Sequence, residues 1–183
     1  MRDTALENRT PEPAGSHWRM SASGVGPLTG ATVASLAELR RALPGARVSE
    51  NDLGPTSGMV FDVHEGTERM LYVVPDDETG EAGTEDHTYA STIFAVFAVS
   101  PRVSVTGRTW RVGQPFEDAA GIDRCECWGG GEVTACFQVG SHLRVIFEAS
   151  CADAVKQGAR AMLGQKIDRI MWKRVLEPDG LLD

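Results

Sequence analysis

The stretch CECWGGGEVTACFQVGSHLRVIFEAS, residues 125–150, carries the pattern that indicates the fold. Apolar and β-favouring residues stand on both sides of the run Gly129–Gly131, which is typical of a hairpin that turns on glycine. A second turn at Gly140 and Ser141 leads into the apolar run LRVIFEAS. These features predict a three-stranded antiparallel meander.

The four cysteines of the chain lie within or directly after this meander. A four-residue loop at 129–132 would place Cys125 opposite Cys136 at a non-hydrogen-bonded site, whereas a two-residue turn would place the pair at a hydrogen-bonded site. We favour the longer loop. Cys125 and Cys136 are then within reach of a disulfide, and Cys127 and Cys151 could form a second one.

Two other states of the cysteines stay open at this point. All four could be reduced, buried thiols. A zinc site is disfavoured because no two of the cysteines have the C-x-x-C spacing that zinc knuckles and redox motifs use. The redox compartment of the protein decides between thiols and disulfides.

Outward from the meander, the sequence predicts further strands and short helices. Apolar spacing indicates a helix over 33–43, capped by Thr32 and ended by Pro44, and a second helical stretch over 152–163. Strands are predicted on both sides of the turn at 65–67, over 92–100 and 103–107, and over the closing 167–174. The order of elements suggests an internal duplication near Ser104. The predicted fold class is α+β, mainly an antiparallel sheet with hairpins and a meander and two or three short helices.

Composition predicts one folded domain between two polar ends. Residues 1–20 are predicted to be a disordered tail or tether, 21–175 a single α+β domain, and 176–183 a frayed C-terminus. The stretch 75–87 is rich in acidic residues and contains no Lys or Arg, so we expect a mobile, solvated loop.

Charge and hydropathy exclude several classes of function. A net charge of −8 opposes binding to nucleic acid and to anionic lipid headgroups. No apolar run is long enough to cross a bilayer, and residues 1–20 lack the apolar stretch of a signal peptide, so any export signal lies outside this sequence.

Neither a catalytic residue nor a metal or cofactor site is predicted from the residues. The four histidines are expected to be exposed, and no nucleophile, base and acid come together in the sequence. The acidic loop lacks the ligand spacing of a calcium loop. These histidines are His17, His64, His87 and His142.

Trp18 and Trp172 are the aromatic residues that could serve a partner. Trp18 stands in the polar tail and could dock on the domain or on another protein. Trp172 is predicted to share one face of the closing strand with Ile170 and to be its buried anchor. If its ring were exposed, Trp172 with Lys173 and Arg174 would form the best candidate partner surface.

Four groups of residues, taken in their order along the chain, resemble those of a known family. The chain resembles the YfeY-like RpoE-regulated lipoprotein family, a bacterial family of unknown function, over residues 21–174. The residues that carry the resemblance are Gly24, Val25 and Gly26 with Leu28 and Thr29; Val112 and Gly113 with Pro115, Phe116 and Asp118; Cys125 with Cys136; and the stretch from Ile167 to Arg174.

The resemblance implies an α+β lipoprotein on the periplasmic side of the cell envelope, tethered through an amino-terminal cysteine. The sequence departs from this pattern, since it has no lipobox and no cysteine before Cys125. Membrane attachment is therefore expected only through a lipid anchor that this sequence lacks. An oxidising periplasm favours disulfides over free thiols. Relative to the family, Cys127 and Cys151 are additions. The resemblance implies no catalytic residues.

Three functions follow as hypotheses. The leading one is a non-enzymatic envelope domain that acts in envelope stress or maintenance through an unknown envelope protein or a small ligand. A periplasmic small-ligand carrier would require an enclosed apolar pocket. A hydrolase would require a cleft with two facing carboxylates, or with His64 beside Asp62 or Glu65. The sequence indicates no oligomeric state.

Overall fold

The computed structural model describes residues 18–53, 58–76 and 91–174. Within these residues the chain forms eleven strands and two short α-helices. Their bounds are β1 Arg19–Ser21, β2 Gly24–Val25, α1 Leu36–Ala42, β3 Arg47–Asp52, β4 Met59–Glu65, β5 Glu68–Pro75, β6 Ile93–Ala98, β7 Ser104–Val105, β8 Arg124–Trp128, β9 Val133–Phe137, β10 Leu143–Phe147, α2 Ala152–Gln157 and β11 Arg169–Lys173.

The main element is an eight-stranded sheet in the order β3-β4-β5-β6-β11-β10-β9-β8. All neighbouring strands in it are antiparallel. Two meanders, β3 to β6 and β8 to β11, meet through their last strands. A smaller sheet has the order β2-β1-β7, with β1 parallel to β7. The predicted antiparallel sheet with hairpins, a meander and short helices is confirmed. The duplication stays a prediction.

The hydrophobic core lies against one face of the large sheet. Side chains alternate along a strand, so Ile170 and Trp172 belong to the main core cluster, whereas Met171 belongs to a smaller cluster with Ile146. Trp172 is only 3% exposed, and the predicted buried anchor of the closing strand is confirmed. Core residues from α1 and from the smaller sheet, such as Leu39 and Met20, cover this face.

The helices are shorter than the apolar pattern predicts. Ser35, rather than Thr32, caps α1, because the Ser35 hydroxyl accepts the backbone N–H of Glu38. The hydroxyl of Thr32 accepts the N–H of Thr29 instead. The C-terminal helical stretch is broken where Gly158 takes a φ of 71°, after which a 3-10 helix continues over Gly158–Met162.

The N-terminal boundary of the fold was predicted too late in the chain. Trp18 is 5% exposed and belongs to the core, while Arg19 and Met20 lie in β1. The carbonyl of Trp18 accepts the N–H of Ser104 at 2.8 Å, which joins this segment to β7. The other tail residues, most of the acidic loop, the C-terminal end, His17 and His87 lie outside the described residues.

Both edge strands of the large sheet carry a feature that affects pairing. On β3, the guanidinium of Arg40 donates two hydrogen bonds to the carbonyl of Val48, at 3.3 and 3.0 Å. On β8, the Cys127–Cys151 disulfide ties the strand to the start of α2. The strand β3 was not predicted, because only Val48 of its six residues is buried.

Gly24 occupies a position that a side chain cannot share. Its φ is 148°, and a Cβ built there would lie 1.9 Å from the carbonyl oxygen of Leu28. Gly45 also has a positive φ, of 91°, but no atom lies within 4 Å of its Cβ position. Gly45→Ala therefore tests backbone strain alone, and Gly24→Ala tests strain plus collision.

We expect Gly24→Ala to lower the free energy of unfolding by about 2 to 3 kcal/mol, and Gly45→Ala by about 1 kcal/mol. Urea denaturation of the two variants beside the parent protein measures both values. Equal losses would show that the backbone near Leu28 moves aside without cost.

Candidate functional site

A polar cleft of about 590 Å³ opens at one end of β6, where the two meanders meet. Ala98, the last residue of β6, pairs with Leu71 of β5 on one side and with Ile170 of β11 on the other. This register brings the first residues of β5 and of β11 together around Val99. The cleft is lined by Arg69, Tyr72, Val99, Val112, Gly113, Glu148, Ala149, Gln165, Lys166, Ile167, Asp168 and Arg169.

A β-bulge in β5 places Arg69 and Tyr72 on the same side of the sheet. Val63 pairs with Leu71, but the next residue of β4, His64, pairs with Arg69, so Met70 is the extra residue. Met70 and Leu71 are both fully buried in the core. Because the bulge interrupts the alternation of side chains, both residues that flank this buried pair line the cleft.

Tyr72 lies between two arginines. The Arg69 guanidinium lies over the Tyr72 ring at 4.8 Å from its centroid, and the Arg169 guanidinium donates to the phenol oxygen at 3.3 Å. Phe97 of the neighbouring strand stacks on the same ring, with the centroids 4.5 Å apart. The ring is therefore held on the sheet by a cation and by a second aromatic ring.

Each arginine of this cluster also has an acidic partner. Arg69 forms an ion pair with Asp62, and Arg169 Nε donates to Asp168 at 2.5 Å. Burial raises the pKa of Tyr72, although both arginines oppose that rise. Burial by itself would lower the pKa of Arg169, but its contacts with Tyr72 and Asp168 raise it overall. At neutral pH the cleft thus holds a protonated phenol beside charged guanidiniums.

Lys166 and Glu148 are the exposed charged residues of the cleft lining. In contrast to the two arginines, neither has an ion-pair partner within residues 18–53, 58–76 and 91–174, and they do not pair with each other. Their charges are available to a bound molecule. The apolar part of the lining comes from Val99, Val112, Ala149 and Ile167.

The four residues considered as a candidate partner surface make contacts within the chain. Trp18 is buried in the core, which is the first of the two alternatives predicted for it, and the buried Trp172 donates its indole N–H to the carbonyl of Ala22 at 3.0 Å. Lys173 lies 5.2 Å from the centroid of the Phe94 ring. Arg174 forms an ion pair with Asp76 and a hydrogen bond with Thr92. These four residues are occupied by contacts within the chain, and none of them lines the cleft.

The cysteines form two disulfides, Cys125–Cys136 and Cys127–Cys151. Trp128 pairs with Val133, so the hairpin has the longer loop, and the Cα atoms of Cys125 and Cys136 are 4.1 Å apart. Such a short distance is typical of a non-hydrogen-bonded pair. The glycines of the run Gly129–Gly131 inside this loop have φ angles of 57°, 73° and 100°, in the left-handed region that favours glycine. Two disulfides indicate a protein of an oxidising compartment.

The described histidines, His64 and His142, lie outside the cleft. Both were predicted to be exposed, but both are half-buried. The His142 ring stacks on Trp172 with centroids 5.8 Å apart, and its Nδ1 lies 2.6 Å from the carbonyl oxygen of Lys173. His64 is half-buried on β4. The hydrolase hypothesis required His64 beside Asp62 or Glu65 in a cleft, but none of these three residues lines this cleft.

The structure offers no metal centre within the described part of the chain, where no three His, Cys, Asp or Glu residues are grouped to hold an ion. The described helices are also too short to cross a membrane. Beside the cleft, Pro115 makes an isolated antiparallel bridge with Lys166. That bridge positions the segment before β11 beside the cleft.

The cleft residues were not predicted from the sequence. A signal for two of them does exist in β5, where ERMLY places two buried residues between Arg69 and Tyr72 instead of one. This spacing is typical of a bulge. No comparable signal marks Lys166, which lies before β11, or Arg169, which is the first residue of that strand.

Fold and site together define a disulfide-bonded domain built on a large antiparallel sheet and a smaller second sheet, with a polar cleft beside the central strand β6. The chain matches no family model and no curated protein. Among solved structures it is similar to the uncharacterized protein YfeY from Escherichia coli, with a TM-score of 0.55 and 20% sequence identity. The match covers 85% of this chain and 99% of that chain. The chain has the YfeY fold, as the sequence resemblance predicted.

Proposed function

We propose that the protein is a non-enzymatic domain on the periplasmic side of a bacterial envelope, and that it acts by binding a small polar molecule in the cleft. The observation that carries the binding role is the cluster of Arg69, Tyr72 and Arg169, whose polar atoms line a cavity of about 590 Å³. Clefts of this size that combine a few oriented polar groups with apolar walls are typical ligand sites.

The location rests on two supports. Disulfides persist in oxidising compartments, of which the periplasm is one, and the chain has two of them. The resemblance to a lipoprotein family adds attachment through an amino-terminal lipid. Metabolic labelling with a fatty acid in the native host, followed by fractionation, tests this attachment. The proposal includes a role in envelope stress or maintenance.

Binding can be measured by NMR on the labelled protein with a panel of carboxylates, phosphates, amines, sugars and short peptides. We expect at least one class to shift the amides of cleft residues such as Tyr72 and Asp168. Arg169→Gln should weaken that binding about tenfold, because it removes a charge-assisted donor. Arg160→Gln is the matched control, since Arg160 is exposed and outside the cleft.

A panel that shifts no cleft amide in the parent protein would contradict the binding proposal. Equal weakening by Arg169→Gln and Arg160→Gln would place the ligand elsewhere on the surface.

Hydrolysis is a second candidate, because two carboxylates, Glu148 and Asp168, line the same cleft. The ion pair with Arg169 makes Asp168 a positioning partner of that arginine rather than a free acid. Catalysis would therefore depend on Glu148 alone, without a histidine among the described lining residues. Turnover of any panel compound that is lost in Glu148→Gln would favour the enzyme over the binding domain.

We also propose that the two meanders arose by internal duplication. The support is their shared order of four antiparallel strands and their contact through β6 and β11. The helices occupy different places, α1 before β3 and α2 between β10 and β11. Superposition of β3 to β6 on β8 to β11 in homologous structures tests the proposal, and matching of strands out of order would contradict it.

A further inference from the structure

We infer that the ligand of the cleft is a small zwitterion of about dipeptide size, whose carboxylate lies beside Lys166 and whose amine lies beside Glu148. This inference rests on the proposed binding function and specifies the chemical class of the ligand. It is carried by the way charges are paired in the cleft.

The charges on the sheet are already compensated within the chain. Arg69 is paired with Asp62, and Arg169 with Asp168, so each guanidinium has a carboxylate partner. Such pairs contribute oriented hydrogen-bond donors but little net charge. A simple anion would therefore find weaker electrostatic attraction here than the presence of two arginines suggests.

The charges at the opening are uncompensated and have opposite signs. Lys166 precedes β11 and Glu148 follows β10, and these two strands are neighbours in the sheet. Both side chains are exposed, and neither forms an ion pair with a described residue. A molecule with both a carboxylate and an amine can satisfy the two charges at once.

Ligands with a single charge are disfavoured by the other member of the pair. Glu148 repels a plain anion, and Lys166 repels a plain cation. Placing a like charge against a bound group is a common way in which a site rejects the wrong ligand. The pair therefore selects for a ligand that carries both signs.

The remaining lining fits a peptide rather than a free amino acid. The protonated phenol of Tyr72 and the side-chain amide of Gln165 offer hydrogen-bonding groups for a peptide bond. Val99, Val112 and Ile167 provide an apolar surface for a side chain. A volume of about 590 Å³ leaves room for more than one residue.

The test compares three ligands that differ only in their end groups: alanyl-leucine, its N-acetylated form and its C-terminal amide. The full chain is titrated with each, and cleft amide shifts report the dissociation constants. We expect alanyl-leucine to bind most tightly. Loss of either charge should weaken binding about fivefold, the upper value for a partly exposed ion pair.

Two variants assign each charge to its side chain. Glu148→Gln should weaken alanyl-leucine about fivefold but leave the N-acetylated peptide unchanged, because that peptide has no amine to lose. Lys166→Gln should do the same for the carboxylate and leave the C-terminal amide unchanged. Both residues are exposed, so the fold is retained, and the exposed Glu132→Gln and Lys156→Gln serve as controls outside the cleft.

The outcomes separate this inference from the proposed function. Equal affinities for the three peptides would overturn the zwitterion while leaving the cleft a binding site. The same holds if the peptides fail to bind but another class from the broad panel shifts the cleft amides. If no compound shifts them, both the zwitterion and the binding function are wrong.

Discussion

Replacing Trp172 by alanine should lower the free energy of unfolding by about 3 to 5 kcal/mol. The ring is 3% exposed and lies in the main core cluster, so the substitution leaves a cavity on the covered face of the large sheet. It also leaves the carbonyl of Ala22 without the indole donor that it has at 3.0 Å. Much of the stability of a domain this small would be lost.

The hydrogen bond and the packing of Trp172 can be separated. Trp172→Phe keeps most of the ring volume but removes the donor to Ala22, and it should cost about 1 to 2 kcal/mol. Trp128→Ala is the control for tryptophan removal in general, because Trp128 is half-buried at the hairpin end. Urea denaturation measures all three. A Trp172→Ala protein that melts within a degree or two of the parent would refute the role of Trp172 as the anchor.

Reduction of both disulfides should have the second large effect, a loss of about 3 kcal/mol for each bond in the chain-entropy model. The Cys127–Cys151 bond spans 24 residues and the Cys125–Cys136 bond 11, so the first should contribute slightly more. Removing Cys127 and Cys151 together as serines should also free the start of α2, which that bond ties to β8.

The two disulfides are tested by intact-mass analysis with and without reductant, peptide mapping and denaturation of the oxidised and reduced protein. Serine pairs that each replace one disulfide act as controls for one another. Free thiols at Cys125 and Cys136, in protein made in an oxidising compartment, would contradict the pairing. Identical unfolding curves before and after reduction would contradict the energetic claim.

Patterns that are local in sequence predicted much of the sheet. The hairpin between β4 and β5 turns at residues 66 and 67, inside the predicted turn, and the closing strand buries Ile170 and Trp172 together. These elements follow from the alternation of side chains along a strand. The edge strand β3 was missed because its residues are mostly polar. The cap of α1 was misplaced because both Ser35 and Thr32 are residue types that cap helices.

The cleft could not be predicted because it depends on contacts between distant residues. Tyr72 and Arg169 are 97 residues apart and meet only because β6 pairs with both β5 and β11. Nothing in either strand's own sequence specifies that neighbour. Trp18 was assigned to the tail for the same reason, since its burial depends on pairing between β1 and β7.

The bonds that Arg40 makes to Val48 have a consequence for how copies of the protein behave when they are crowded together. A free strand edge is a template on which a second chain can add its own strand, and repetition of that step builds fibrils. The arginine occupies a carbonyl on one edge, and α2 is fastened beside the other edge by a disulfide. Addition of a further strand is thereby hindered at both edges of the sheet.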